Sequence, residues 1–228
     1  MPRIIRLPRE GGIYGVWLGA LSFALKNILN HIDFRLVLGL AGSVMFLLTL
    51  DYVRYEKTTK RYIPVVIVSS LYLPLLITRP ELVLFYATLA FSFLYLHLRY
   101  TGYRTIYGSG VLALHGSILR VYGNWDPFIS LTPLFFSLFA VTEAYERVYT
   151  TSRTTLALKM VFGLGIVFLA MYMYWMAYPT AALIYLLDFM VRLATEASGL
   201  YTRMSLKFYG FVEFFRHILV LGVMGFIF

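Results

Sequence analysis

Asp51–Arg61 is the densest run of charge in the chain, and it lies between Leu36–Leu50 and Tyr62–Thr78, neither of which carries a charged side chain. Such alternation of long apolar segments and short polar strips leaves few folds open. Of the 228 residues, 60% are hydrophobic and 14% charged, and the mean hydropathy is +0.75. A soluble domain carries about 25% charged and about 45–50% apolar residues, and a chain of this size cannot hide so much apolar surface from water. The sequence therefore predicts an all-α polytopic membrane protein, with one integral membrane domain over 1–228 and no soluble domain.

A spanning helix needs about 20 residues. Nine candidates follow: Ile13–Leu29, Leu36–Leu50, Tyr62–Thr78 (with Pro74 as a predicted kink), Glu81–Leu98, Thr105–Arg120, Phe128–Thr142, Met160–Tyr178, Thr180–Val191 and Tyr209–Phe228. The fifth is the least hydrophobic, holding His115, Arg120 and three glycines. Basic residues collect on the cytoplasmic side of membrane proteins. With the N-terminus cytoplasmic, only Lys26, Arg35, Arg79 and Arg120 fall outside, Arg216 lies within the ninth helix, and the other fifteen lysines and arginines lie inside. The expected location is the cytoplasmic membrane, N-terminus in and C-terminus out. The same rule accounts for the net charge of +9 without nucleic acid. The basic N-terminus, interrupted by Pro8 and Gly11-Gly12, shows no cleavage site and is expected to be retained.

Polar groups are scarce, which narrows the candidate sites. Asp51 and Glu56 in the first strip, and Glu143 and Glu146 in a second strip, Glu143–Lys159, are the candidate metal ligands. Carboxylates at a membrane face can hold Mg2+, and nearby arginine or lysine can neutralise a phosphate. The plainer alternative is a basic loop against anionic lipid. Glu143 and Glu146, three apart, share a helical face and repel unless a cation, Arg147 or water intervenes. Within the spans, Asp188 can pair with Arg192, Glu213 with Arg216 and His217 can line an inner cavity, and His115 is a further polar group at membrane depth. Arg9 and Glu10 before the first helix form either a functional pair or a plain helix start. His97 is expected at an interface. The four histidines lack metal-site spacing, and there is no cysteine, so neither haem, an Fe–S cluster nor a Cys-ligated metal is expected.

Nine helices, with acidic strips after the second and sixth, resemble the UbiA superfamily of intramembrane prenyltransferases. Within it, Pro8-Arg9-Glu10-Gly11-Gly12-Ile13-Tyr14 is similar to the Pro-x-Glu-His-Gly-Ala-Trp start of the YwiC-like membrane proteins. Gly210-Phe211-Val212-Glu213 is similar to the Gly-x-x-Glu at the start of that family's last helix. The family histidine is Gly11 here and its tryptophan is Tyr14. The aspartate-rich motifs of the prenyltransferases have no match in spacing. The resemblance implies a horseshoe of nine helices around a central cavity.

Two functions follow as expectations. One is binding, with divergent prenyl transfer, of an isoprenoid or other lipid bearing an anionic head group. The head would meet Arg54, Lys60 and Arg61 on one side and Arg147 on the other, with Arg9, Glu10, His115, Asp188, Glu213 and His217 as further ligand-binding candidates. The other is a non-catalytic membrane protein: a lipid or quinone carrier, a small transporter, or an accessory subunit with other membrane subunits as partners.

Overall fold

The computed structural model describes residues 11–56, 58–120, 126–149 and 152–228. It is all-α. Nine long helices are present among the described residues: α1 (Gly11–Asn30), α2 (Phe34–Tyr55), α3 (Tyr62–Tyr72), α4 (Pro80–Arg99), α5 (Arg104–Leu119), α6 (Thr132–Val148), α7 (Arg153–Trp175), α8 (Pro179–Ala197) and, after the four-residue α9 (Leu200–Arg203), α10 (Leu206–Ile227). Each of the nine apolar segments holds one of them. Five stretches, Gly12–Asn30, Thr59–Ile77, Pro80–Arg99, Arg153–Trp175 and Lys207–Ile227, are long and apolar enough to cross a membrane. Their outward faces carry exposed Leu164, Met171, Tyr95 and Phe211, which suits lipid and not water.

Local chemistry explains where the helices start. Asp33 caps α2 by accepting from the Leu36 amide at 2.9 Å. Ser152 and Thr155 form a reciprocal capping box at the head of α7. Pro80, Pro133 and Pro179 stand in the first turns of α4, α6 and α8, where the missing amide hydrogen leaves no bond unmade. At Pro74, where a kink is expected, the chain tightens into a 3₁₀ segment, Leu73–Ile77, after α3.

The capping box also corrects two boundaries. The second strip is not a loop. α6 runs on to Val148, carrying Glu143, Glu146 and Arg147, and α7 begins at Arg153, so that Lys159 is already helical. Likewise α2 continues through Asp51 and Arg54 to Tyr55. His97, expected at an interface, is buried, with Nδ1 2.8 Å from the Arg104 carbonyl.

The least hydrophobic segment occupies the middle. Ile106 and every residue from Gly108 to Leu119 of α5 are buried, with α1, α4 and α6 packed around the helix. A helix wrapped on all sides needs small residues more than greasy ones, because in lipid close backbone approach is what drives association. A Cβ on Gly116 would lie 2.3 Å from the Ala20 carbonyl oxygen, and one on Gly110 2.7 Å from the Phe93 ring. α1 is clasped on its other face by α10: Gly15 meets Phe214, Gly19 meets His217, and Gly225 meets the Phe23 carbonyl. The middle of the described bundle is thus filled by α5, and the two cavities lie to its sides.

These contacts also orient the helices. α1 and α10 run parallel, as do α1 and α5, through Ala20 with Gly116 and Asn27 with the Leu119 carbonyl. α2 runs against α5, pairing Gly39 with Leu119 and Phe46 with His115. α8 runs against α10, pairing Arg192 with Glu213 and Asp188 with Arg216. The starts of α1, α5 and α10 and the finishes of α2, α6 and α8 therefore gather at one end, which also holds both charged strips.

Candidate functional site

At that end lies a buried ionic network. Arg192 of α8 is only 1% exposed, and its guanidinium donates to Glu143 of α6 at 3.1 Å, to Asp188 at 3.2 Å and to Glu213 of α10 at 2.7 Å. Arg216 donates to the other Asp188 oxygen at 2.5 Å, to the Asp188 carbonyl at 2.6 Å and to the Tyr201 hydroxyl at 2.6 Å, and lies 3.6 Å from Glu213 Oε1. The Asp188–Arg192 pair expected from spacing is present, but it and the Glu213–Arg216 pair are edges of one net joining α6, α8 and α10. Charges away from water are held only when paired and hydrogen-bonded. Lys159 beside the net salt-bridges Glu146 at 3.3 Å and also Glu196. The Glu143–Glu146 repulsion is thereby relieved by two different cations. Among the described residues no group of His, Asp or Glu is arranged to hold a metal. Of the expected magnesium ligands, Glu143 and Glu146 are engaged by Arg192 and Lys159, and Glu56 accepts from the Thr58 amide at 2.9 Å.

Next to the network is a cavity of about 560 Å³ between α1, α5, α6 and α10, within the range of about 300–1,000 Å³ common for small-molecule sites. Its wall is mostly apolar, with Ile13, Val16, Val141, Ala144, Val148 and Phe214. Its polar groups are concentrated on α10, where Tyr209, Glu213 and His217 follow one another at four-residue steps down one helical face. Glu213 and His217 are 8% and 3% exposed. The Tyr209 hydroxyl, Glu213 Oε1 and His217 Nε2 are buried with no hydrogen-bond partner. Buried polar atoms are nearly always paired, so three orphans in one wall call for an explanation. Tyr145 and Tyr149 also line it, and Arg147 lies over the Tyr209 ring at 4.6 Å while donating to the Met204 carbonyl at 2.6 Å.

A second, smaller cavity of about 210 Å³ opens between α3 and α4, with α5 as its floor. Its wall is apolar except for Ser69 and the pair His115 and Tyr72, whose Nδ1 and Oη are 2.5 Å apart. Phe46 stacks on His115 with ring centres 5.1 Å apart.

The sequence-predicted residues thus separate into three groups. Glu213 and His217 line the larger cavity, with Asp188 and Glu143 behind them in the network. His115 lines the other cavity. Glu56, Lys60, Arg61, Glu146 and Arg147 line neither. Lys60 and Arg61 sit in a 3₁₀ turn, Thr59–Arg61, with Arg61 donating to the Tyr62 hydroxyl at 3.2 Å. Arg9 and Glu10 lie outside the described residues, as do the side chains of Asp51 and Arg54. Tyr209 was not among the candidates, although its spacing from Glu213 and His217 signals it. Gly15 and Gly19, a small-xxx-small pair on α1, carry a similar unread signal.

Fold and site together define a helical membrane protein with an internal, mostly apolar cavity beside a buried ion network. No family model, no curated protein and no solved structure matches the chain.

Proposed function

We infer that this protein binds an isoprenoid or another membrane lipid in the cavity between α1, α5, α6 and α10, within a nine-span, UbiA-like bundle of the cytoplasmic membrane whose N-terminus is cytoplasmic. One observation carries the reading. The two stretches similar to YwiC-like proteins are far apart in sequence, yet Gly12 and Ile13 from the first and Gly210 and Glu213 from the second line the same cavity. A Cβ on Gly12 or Gly210 would meet nothing within 4 Å, so both glycines border open space.

Replacing Gly210 with phenylalanine is expected to fill that space and to lower the binding of a labelled isoprenoid in nanodiscs at least tenfold, with folding retained. Unchanged binding would remove the cavity from consideration. Prenyl diphosphate with and without magnesium is the companion measurement. Magnesium-dependent binding, weakened by Glu143→Gln, supports divergent prenyl transfer. The non-catalytic reading, a carrier, small transporter or accessory subunit, is favoured by the engagement of Glu143 and Glu146 with Arg192 and Lys159.

The topology is tested separately. The chain has no cysteine, so single cysteines report cleanly. Those placed at Lys60 and Arg153 are expected to react with an impermeant thiol reagent from the cytoplasmic side, and one at Ala177 from the opposite side. Labelling of Lys60 and Arg153 from different sides would overturn the nine-span arrangement.

A further inference from the structure

We propose that the head group accepted by this cavity is an uncharged hydroxyl on an apolar body, a lipid alcohol, with His217 Nε2 as the acceptor of its proton. The proposal rests on the lipid-site reading above. It starts from the tautomer. His217 Nδ1 lies 2.8 Å from the Glu213 backbone carbonyl, and a carbonyl oxygen only accepts, so Nδ1 carries the hydrogen. In the uncharged imidazole, Nε2 is then a bare lone pair. It is buried, it has no partner, and its residue lines the cavity. An acceptor in that position is complemented by an O–H donor from whatever fills the space.

The charge of the wall selects among donors. Glu213 is the one carboxylate among the described residues lining the cavity, and it already carries Arg192 at 2.7 Å and Arg216 at 3.6 Å. A cationic head would face those two guanidiniums behind a neutralised carboxylate. An anionic head would face the carboxylate with no lysine or arginine among the described residues of the wall to receive it. An uncharged hydroxyl meets neither penalty. Ser109 on the opposite wall donates its hydrogen to the Ile106 carbonyl at 2.7 Å, whereas His217 Nε2, near the middle of α10, presents a lone pair and no hydrogen of its own. Tyr209, two four-residue steps away, lies about 12 Å along α10 at about 1.5 Å per residue. The cavity therefore runs from the phenol near the start of α10 to the imidazole near its middle. A lipid alcohol enters head first, and its apolar body lies along Ile13, Val16, Val141 and Val148.

Three probes of one chain length separate this inference from the lipid reading beneath it: farnesol, farnesyl methyl ether, which keeps the oxygen but cannot donate, and farnesyl diphosphate. Each is titrated against the full chain in nanodiscs, with displacement of a fluorescent isoprenoid as the readout. The expected result is that farnesol binds about five- to tenfold more tightly than the ether, the value of one hydrogen bond, and more tightly than the diphosphate. His217→Phe, which keeps an aromatic ring against Phe136, is expected to abolish the alcohol–ether difference. His217→Gln, which retains an acceptor, is expected to restore part of it. Equal binding of alcohol and ether by the unaltered protein overturns the hydroxyl inference, as does preferential binding of the diphosphate, and both leave the lipid reading standing. Binding of none of the three removes the lipid reading as well. The comparison within the unaltered protein requires no variant to fold.

Discussion

Replacing Arg192 with methionine is expected to destabilise the protein by about 3–5 kcal/mol, the cost of leaving buried charges without their partner, read as a lowered unfolding midpoint in detergent. The side chain is buried and, among the described residues, is the only group that touches Glu143, Asp188 and Glu213 together. Without it, Asp188 and Glu213 keep only Arg216, Glu143 loses its ion pair, and the helices lose the fastening that sets their mutual positions. Methionine keeps most of the volume and can still pack against Phe136, over whose ring the guanidinium now lies at 4.9 Å, so the loss reports charge rather than a void. A second change tests that assignment. Glu143→Gln in the Arg192→Met background removes one uncompensated charge and is expected to recover part of the stability, a non-additivity characteristic of groups in contact. If Arg192→Met leaves the midpoint unchanged, the network does not hold the bundle together.

Gly116→Ala is expected to cost about 3 kcal/mol or more, at the upper end of overpacking penalties, although alanine is the better helix former by about 1 kcal/mol. The added methyl would lie 2.3 Å from the Ala20 carbonyl oxygen and 2.7 Å from its carbon. Those are backbone atoms of α1, so no side chain can swing aside, and the two helices must separate along their whole contact. Gly210→Ala is the matched control: its Cβ meets nothing within 4 Å, and the change is expected to be neutral or mildly stabilising. Thermal unfolding of the two variants side by side checks the claim. Equal midpoints would show that α1 and α5 do not pack as closely as the structure has them.

The sequence by itself determined the class of the molecule and the positions of its helices. Charge-free runs such as Tyr62–Thr78 are legible because the bilayer punishes every charge or unpaired backbone group locally, and that rule operates residue by residue. The pair Asp188–Arg192 was legible for a similar reason, since helical spacing alone brings it within reach. Boundaries at the charged strips were not. Glu143 is helical and buried because Arg192, 49 residues on, neutralises it, and no local pattern announces a partner at that distance. Only the tertiary structure decided that the two ionic pairs are one network, that α5 lies at the centre in spite of its low hydrophobicity, and that Gly12 and Gly210 face the same cavity. The physical reason is common to all three. Each depends on which helices lie side by side, and in lipid that choice follows from close packing at glycines and from burial of charge between helices, neither of which is a property of one segment.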